Sequence, residues 1–149
     1  MANDVQIKNR RASFDYHLIE KFVAGIALLG TEIKSIRQGK ANLSDAFCMF
    51  IGNSLYVRNL LISEYSNSSF YHHDIKRDRA LLLQKKELKK LRIKSEEKGF
   101  TIVPLRIFIN DRGYAKLEIA LAQGKKEFDK RETIKERESK RELDRIRKY

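Results

Sequence analysis

The sequence is short of the residue types on which several protein classes depend. Its 149 residues include one cysteine, one proline and no tryptophan. A single cysteine excludes an internal disulfide framework and is typical of proteins in a reducing compartment. Because Cys48 lies in the apolar run Phe47–Ile51, we interpret it as a buried structural thiol rather than as a nucleophile.

Long hydrophobic runs are also lacking. The longest apolar stretch covers residues 22–29 and is interrupted by Gly25, whereas a membrane-spanning helix needs about 20 apolar residues. The start of the chain has no apolar stretch behind its charges, so we expect no secretory signal. These two features predict a cytoplasmic protein that does not insert into a membrane.

The motifs of common enzymes are missing as well. Gly25, Gly30 and Gly39 are too far apart for a Gly-rich dinucleotide loop or a Walker loop. The histidines and the single cysteine show no metal-ligand spacing, and His72 and His73 are adjacent in a serine-rich segment. We therefore predict that the protein is not an enzyme and uses neither a cofactor nor a metal.

What the sequence does have is positive charge. Lys and Arg number 32 against 20 Asp and Glu, which gives a formal net charge of +12. Residues 1–123 hold 21 basic and 13 acidic side chains, a net charge of +8, so the excess is not confined to one end. Such a surplus favours a polyanionic partner, either nucleic acid or an anionic membrane surface. Charge alone does not choose between them.

The last part of the chain, residues 124–149, is the most highly charged. It holds 11 basic and 7 acidic residues, a net charge of +4. Acid-before-base pairs at i, i+4, such as Glu127 with Arg131 and Glu136 with Lys140, favour a helix, but the apolar residues form no core-facing stripe. We predict a tail that is disordered alone and helical on an anionic partner. A solvated charged helix without a partner is the alternative.

Residue patterns before the tail predict both strands and helices. The β-branched, aromatic and aliphatic residues at 14–29 predict a long strand, bent at Gly25. Residues 31–37 predict a short helix, and residues 84–98 predict a longer, lysine-rich helix that Gly99 ends.

Two hairpins are also predicted. Phe47–Ile51 and Ser54–Arg58 flank a Gly-Asn pair, which is a strong hairpin signal. Residues 100–110 and 114–122 form the second pair, and the latter run alternates apolar and polar side chains as a half-buried strand does. Pro104 inside the first of these runs predicts an edge strand or a bulge.

Together these elements predict a mainly β domain with added α structure over residues 1–123. About five or six strands with a helix between the later ones favour an OB-like antiparallel β-barrel with a short and a longer helix. A polar basic arm at residues 1–11, both helices and the tail supply positive charge. Basic side chains scattered over a fixed shape favour the phosphates of folded RNA over a base sequence.

Several short motifs are weak alone and specific together. They are Asn9-Arg10-Arg11-Ala12, Ala24-Gly25-Ile26, Gly30-Thr31-Glu32-Ile33-Lys34-Ser35, Asn42-Leu43-Ser44-Asp45, Val103-Pro104-Leu105 and Gly124-Lys125-Lys126 followed by Asp129-Lys130-Arg131. Their order and spacing over residues 9–137 resemble the SmpB family of SsrA-binding proteins.

The resemblance implies an RNA-binding adaptor of trans-translation. Members of the family bind the tRNA-like part of transfer-messenger RNA, support its charging with alanine, and accompany it to stalled ribosomes. Elongation factor Tu and alanyl-tRNA synthetase are then indirect partners, reached through the RNA. The family's body is an OB-like barrel, and its tail folds as a helix in the vacant mRNA channel near the decoding centre of the small subunit.

The resemblance also implies two sets of functional residues. The RNA-binding set is Asn9, Arg10, Arg11, Glu32, Lys34, Arg37, Lys40, Arg77, Arg79 and Leu82. The ribosome-binding set in the tail is Lys125, Lys126, Phe128, Asp129, Lys130, Arg131, Lys135 and Arg137. Structural roles remain open for three of these residues: Glu32 as a first-turn charge favoured by the helix dipole, Leu82 as a core residue, and Asn9 as a turn residue.

Four positions depart from the family pattern. Val23 stands where a glutamate is common, so a carboxylate is absent there. Ile75 replaces a common proline and Ala80 a common basic residue. Phe128 stands where a histidine is frequent, which keeps a ring able to stack on a base but removes a hydrogen bond.

Two hypotheses from other classes remain open at this point. A permanently assembled structural component of the ribosome would show the same basic composition. A membrane-surface protein would use the predicted helix at 84–98, but Leu88, Leu91 and Ile93 give it only a small apolar face.

Overall fold

The computed structural model describes residues 5–64 and 74–125. In chain order the elements are β1 (Gln6–Lys8), α1 (Ala12–Asp15), β2 (Tyr16–Ile26), α2 (Gly30–Arg37), β3 (Ala41–Asn42), β4 (Phe47–Ile51), β5 (Ser54–Arg58), β6 (Leu61–Ile62), β7 (Arg79–Leu82), α3 (Lys85–Ser95), β8 (Phe100–Ile109) and β9 (Ala115–Gly124).

Six antiparallel strands close into a ring. Their order is β8-β4-β5-β7-β2-β9, and β9 pairs in turn with β8. Strand β1 lies outside the ring and pairs with β8 beyond the end of β4, while β3 and β6 form a separate two-stranded sheet. The predicted OB-like antiparallel barrel is therefore confirmed, and closure removes the free edges that an open sheet would expose.

The interior of the ring is filled by aliphatic side chains from its strands. Leu117 and Ile119 of β9, Ile107 of β8, and Leu55 and Val57 of β5 are all fully buried. Because side chains alternate across a strand, the residues between them face outward. The period-two pattern at residues 114–122 is informative for this reason.

A second, smaller cluster lies on the outside of the barrel. Ala120 and Ala122 of β9 and Val103 of β8 point outward and are covered by Ala12 of α1. Small side chains on β9 allow the short helix to approach the sheet closely. The N-terminal segment is therefore packed onto the barrel from β1 onward, which corrects the prediction of a polar arm at residues 1–11.

The two longer helices close opposite ends of the barrel. Helix α3 buries Leu91 completely and places Lys90 beside Glu20, which lies early in β2 and pairs with the end of β9. Helix α2 follows the other end of β2, and its Arg37 reaches the carbonyl of Gly113, in the turn before β9. Each end of the barrel thus has its own helix and its own basic side chains.

The prediction of an edge strand or a bulge at Pro104 is confirmed by a bulge. The pairing of β8 with β9 shifts by one residue between Pro104 and Arg106, so a bulge is present at Leu105. The strand has neighbours on both sides, however, so it is not an edge strand. The bulge frees the Leu105 carbonyl, which accepts a hydrogen bond from the backbone N–H of Asn9 at 2.7 Å.

Other boundaries also differ from the sequence prediction. The described residues form nine strands rather than five or six, because β1, β3 and β6 are too short to show a period. Helix α3 ends at Ser95, and Gly99, with φ of 87°, belongs to the turn before β8. The barrel extends through Gly124, which pairs with Tyr16, so Gly124 belongs to the body rather than to the tail.

Candidate RNA-binding surface

Glu32, in the first turn of α2, lies at the centre of a buried ion-pair network. Its side chain is 0% exposed. One carboxylate oxygen accepts the backbone N–H of Leu29 at 2.8 Å and Nη2 of Arg77 at 2.6 Å, and the other accepts Nε of Arg79 at 2.5 Å. A glutamate at this position satisfies an N–H that the start of the helix would leave unpaired.

Arg79, at the start of β7, is also 0% exposed. Besides Glu32, its guanidinium donates to the carbonyls of Leu60 at 2.6 Å, Asp74 at 3.3 Å and Ile75 at 3.4 Å. The rigid fork of an arginine side chain can serve several acceptors at once. Arg79 therefore joins α2, β7 and the segment after β5 into one unit.

Opposing effects act on the ionisation of this pair. Burial raises the pKa of Glu32, but the hydrogen bonds from Arg77, the Leu29 N–H and Arg79 outweigh it, so the pKa lies below its usual value. Burial lowers the pKa of Arg79, and Glu32 opposes that shift. The lowered pKa keeps Glu32 ionised at neutral pH, and an arginine guanidinium is not deprotonated in proteins.

These observations correct two of the predicted RNA contacts. Glu32 and Arg79 have no exposed surface with which to touch RNA. In this ion-pair network, Arg77 is the residue whose side chain remains accessible to solvent, with 35% of its surface exposed. The structural role left open for Glu32, a charge at the start of a helix, fits its position. The side chains of Glu32 and Arg79 instead join α2 to β7.

Leu82 behaves in the opposite way. Its side chain is 62% exposed, so it is not a core residue. It lies beside Gly25 on the neighbouring strand β2, where a Cβ on Gly25 would come within 3.3 Å of the Leu82 Cβ. Glycine at position 25 thus leaves room for Leu82 against the barrel wall.

An open groove of about 440 Å³ runs from Leu82 across this end of the barrel. Its lining includes Arg37 of α2, Arg112 and Tyr114 of the β8–β9 turn, and Lys116 of β9. Tyr114 is 65% exposed. The groove, which we call the Leu82 groove, combines an exposed aliphatic and an exposed aromatic side chain with three basic ones.

Arg37 holds the two walls of the groove together. Its Nη2 donates to the Gly113 carbonyl at 3.2 Å, across 76 residues of sequence. Gly113 has φ of 84°, a backbone conformation that favours glycine and turns the chain so that the carbonyl meets the guanidinium. Sequence analysis identified Arg37 but not Arg112, Tyr114 or Lys116. The alternating pattern of residues 114–122 predicts that Tyr114 and Lys116 face outward from their strand. It does not predict that they lie beside α2.

A second basic region, which we call the Asn9 corner, is formed by Asn9 and the two arginines that follow it. The side-chain amide of Asn9 donates to the Pro104 carbonyl at 3.0 Å, and its backbone N–H binds the Leu105 carbonyl. Asn9 therefore sits on the bulge of β8 and fixes the end of β1, which is a turn role. Arg10 and Arg11 follow it and are exposed.

Lys34 and Lys40 lie on the exposed side of α2 and just after it. The backbone of Lys40 is fixed on both sides, since its N–H binds the Ser35 carbonyl at 2.9 Å and its carbonyl accepts the Ser63 N–H at 3.0 Å. The predicted RNA-binding set is thus divided between the α2 end of the barrel and the Asn9 corner.

The tail predictions mostly lie outside the described residues. Lys125 is the exception: its backbone N–H binds the Asp15 carbonyl and its Nζ binds the Ser13 carbonyl, both at 2.9 Å. The start of the tail is thus attached to α1. Lys126, Phe128, Asp129, Lys130, Arg131, Lys135 and Arg137 lie beyond the described part of the chain.

Three of the four positions that depart from the family pattern lie in the described residues: two are exposed, and one is in a strand. Val23 is half-exposed on β2, opposite Glu118 of β9. Ile75 is exposed, and Ala80 pairs with Tyr56 of β5. Phe128 lies outside the described residues.

Within residues 5–64 and 74–125, no group of three or more His, Cys, Asp or Glu side chains is arranged to hold a metal ion. In the same ranges no helix is long and apolar enough to cross a membrane. Burial raises the pKa of the Cys48 thiol far above its usual value, so this thiol is not a reactive nucleophile.

A closed OB-like barrel with basic side chains around a groove that exposes a tyrosine is typical of nucleic-acid-binding proteins. Comparison with known proteins specifies the family. A model of the SmpB protein family matches residues 6–149. The chain belongs to the SmpB family, which comprises RNA-binding proteins rather than enzymes.

Individual relatives agree. The chain is 55% identical to the SsrA-binding protein of Christiangramia forsetii over 148 residues, 99% of this chain and 94% of that protein. It is 50% identical to the SsrA-binding protein of Trichodesmium erythraeum over 143 residues, 95% of this chain and 91% of that one.

A solved structure is similar as well. It is described as "tmRNA-SmpB: a journey to the center of the bacterial ribosome", and the similar chain in it is 48% identical with a TM-score of 0.69. The match covers 83% of this chain and 86% of that chain. At this identity the likeness extends beyond the fold to the family.

Proposed function

We propose that this protein binds the tRNA-like part of transfer-messenger RNA and acts as an adaptor of trans-translation. Membership of the SmpB family supports the proposal, as do relatives named for binding SsrA, which is transfer-messenger RNA. The similar chain of the solved structure is described together with that RNA and the bacterial ribosome.

The Leu82 groove is the observation that carries the proposal. Leu82 and Tyr114 expose apolar surface that water solvates poorly, and an exposed tyrosine ring is able to stack on a base that has left its helix. Arg37, Arg112 and Lys116 line the same groove and neutralise phosphates. Single-stranded loops of a folded RNA present unstacked bases and phosphates together, so they match this lining better than a regular duplex does.

The Glu32–Arg79 network supports the groove from inside. It fixes α2 relative to β7, and therefore fixes Arg37 on α2 relative to Leu82 on β7. A folded RNA is recognised by its shape, so the spacing between protein contacts must be kept. Buried charges that touch no RNA thus contribute to binding by holding the binding side chains in place.

The finer steps are part of the same proposal. Binding at the groove supports alanylation of the RNA and its delivery, with alanyl-tRNA synthetase and elongation factor Tu reached through the RNA. The tail enters the vacant mRNA channel near the decoding centre and contacts ribosomal RNA through its basic residues. The attachment of Lys125 to α1 supports this, because it gives the tail a defined starting point on the body.

The first test is the identity of the bound RNA. The tagged full-length chain is purified from bacteria before and after ribosome stalling, and the RNA that accompanies it is sequenced. Enrichment of one transfer-messenger RNA species is expected. A constant content of bulk ribosomal RNA, at one protein per ribosome in both states, would instead indicate a permanent ribosomal component.

The second test is Leu82→Ala. Burying a leucine side chain against a partner contributes about 1.5–3 kcal/mol, so we expect an affinity for transfer-messenger RNA at least about tenfold lower. Ile51→Ala is the matched control, since Ile51 is another exposed aliphatic residue, on β4. Equal effects of the two substitutions in a filter-binding titration would remove the groove from the RNA site.

A further inference from the structure

The Leu82 groove continues onto the outer wall of the barrel along β2 and β9. Gly25 and Lys116, which line the groove, are cross-strand partners, and the next outward pair on the same two strands is Val23 with Glu118. Outward side chains follow one another every second residue, which is about 7 Å along a strand. Glu118 therefore lies one step beyond the groove lining, on the same face of the sheet.

Glu118 is a carboxylate flanked by basic side chains. Its cross-strand partner on β8 is Arg106, and Arg106 pairs in turn with Lys8 of β1. Lys116 precedes Glu118 by two residues on β9. A surface that only neutralises phosphates gains nothing from an acidic side chain, because a carboxylate repels them. The position of Glu118 beside the groove therefore indicates a contact other than one to phosphate.

The protein fixes this carboxylate but uses only part of it. One oxygen, Oε2, accepts hydrogen bonds from both Nε and Nη2 of Arg106 at 3.3 Å. The Arg106 guanidinium lies over the ring of Phe108, 4.4 Å from its centroid, so the arginine is held from two sides. Within residues 5–64 and 74–125, Oε1 of Glu118 accepts no hydrogen bond, and 18% of the side chain is exposed. Oε1 is thus an oriented acceptor without a protein donor in these ranges.

The RNA groups that can donate to such an acceptor are few. An ionised carboxylate only accepts hydrogen bonds, and phosphate oxygens donate none. The donors are base N–H groups and the ribose 2′-OH. In a duplex the N–H groups of the Watson–Crick edges are used in base pairs. The neighbouring groove exposes the ring of Tyr114, which is suited to an unstacked base, so an unpaired base is the partner that fits both features.

We propose that Glu118 is a specificity-determining residue of the RNA site. Its Oε1 accepts a hydrogen bond from an N–H group of an unpaired base in the RNA segment that occupies the Leu82 groove. The negative charge then has two opposite effects: it stabilises a complex with RNA that presents an unpaired base there, and it repels RNA that presents only phosphates. The inference rests on the proposed function, because it assigns a base contact to the same RNA.

Glu118→Gln in the full-length chain separates these two effects. Where the amide oxygen accepts from Arg106, the NH₂ group faces the base N–H, so a donor meets a donor. We expect the affinity for transfer-messenger RNA to fall about tenfold, as for the loss of a charge-assisted hydrogen bond. The affinity for an RNA duplex of arbitrary sequence should rise about two- to fivefold, because a charge that repels phosphates is removed. Filter-binding titrations of both RNAs at one salt concentration measure the ratio.

Glu97→Gln is the matched control for charge. Glu97 is a partly exposed glutamate just after α3 and is paired with Lys94, at the other end of the barrel from the groove. This substitution changes the net charge by the same amount as Glu118→Gln. It should leave the ratio of the two affinities unchanged.

Val23→Glu/Glu118→Gln tests whether the carboxylate itself is needed. Val23 is directly opposite Glu118, and the Cβ atoms of such a pair are about 5 Å apart. The restored carboxylate should recover at least about threefold of the lost ratio. Chemical probing of the bound RNA locates the contact: a base edge protected by the wild-type chain should become reactive with Glu118→Gln. A change confined to a ribose 2′-OH would contradict the base assignment.

The signs of the two affinity changes decide the result. If both RNAs bind Glu118→Gln more tightly, the carboxylate only holds Arg106 and the base contact is absent. If both bind more weakly by the same factor, Glu118 supports the wall of the barrel rather than specificity. A wild-type chain that binds transfer-messenger RNA no better than the duplex would defeat the proposed function itself. Wild-type selectivity that survives Glu118→Gln would defeat only this inference.

Discussion

Glu32 joins three parts of the chain through one carboxylate. It binds the N–H at the start of its own helix and the guanidinium groups of Arg77 and Arg79, which lie just before β7 and at its first residue. Removing one member of a buried ion pair leaves the other charged and unpaired, which costs far more than the net contribution of the pair. The residue is therefore more important to the fold than its charge alone suggests.

We expect Glu32→Gln to lower the free energy of unfolding by about 3 kcal/mol, since Arg79 then lies buried without its counter-ion. Urea denaturation followed by circular dichroism measures the change. Glu20→Gln is the control: its ion pair with Lys90 is partly exposed, and such pairs contribute under about 1 kcal/mol. Similar losses for the two variants would contradict the central role of the buried pair.

The same carboxylate gives the stability a defined pH dependence. The pKa of Glu32 is lower in the folded protein than its usual value of 4.5. Its contribution is therefore fully present above that value and is lost as pH falls through the folded pKa. We expect the stability difference between wild type and Glu32→Gln to be constant from about pH 6 to 8 and to shrink below about pH 4.5. A difference that grows on acidification would reverse the assigned direction.

At the scale of elements, α1, which precedes β2, packs against the last strand of the barrel and against Lys125, the residue that follows that strand. It covers the outer alanines of β9, and the carbonyls of Ser13 and Asp15 bind Lys125. The tail therefore leaves the body from a fixed position next to α1, rather than from the Leu82 groove. The start of the tail and the Leu82 groove are therefore at different places on the body.

Truncation after Lys125 tests that separation. We expect the shortened chain to bind transfer-messenger RNA with nearly the affinity of the full chain, because the proposed groove contacts all lie before the cut. Tagging of stalled polypeptides in a reconstituted translation reaction should be abolished. Within the full-length chain, Phe128→His should tag better than Phe128→Ala if the ring stacks on a ribosomal base. Comparable loss of binding and tagging on truncation would assign the tail to the body's RNA site.

At the scale of the whole molecule, positive charge is distributed over both ends of a closed barrel. A net charge of +12 steers the protein toward RNA of any sequence. Selectivity must then come from the few places where charge is combined with shape, and the Leu82 groove is such a place. Closure of the six-stranded ring holds these places in a fixed geometry.

The balance between charge and shape predicts different salt responses. Arg37→Gln and Arg112→Gln should each reduce the slope of log K against log salt for transfer-messenger RNA by about 0.7, since each removes one phosphate contact to a single-stranded segment. Leu82→Ala should lower the affinity without changing the slope, because it removes only apolar contact. Binding titrations between about 50 and 200 mM salt measure both effects. A Leu82 effect that vanishes at high salt would show that the contact is electrostatic.

Local patterns in the sequence determined the elements that have their own period. The hairpin of Phe47–Ile51 and Ser54–Arg58 is confirmed because its turn residues and strand propensities agree. Helix α3 is confirmed because its leucines recur at helical spacing. Strands β1, β3 and β6 could not be predicted, since two or three residues show no period and form only where a partner strand is in place.

Composition and local pattern by themselves thus determined a basic, mainly β barrel and favoured an RNA partner, and the motif order indicated its family. Only the tertiary structure decided that Glu32 and Arg79 are buried while Leu82 is exposed, and that Arg37 meets Gly113 across 76 residues. The physical reason is that a residue's local pattern reflects its neighbours along the chain. Burial and long-range contacts instead depend on which faces meet when the barrel closes.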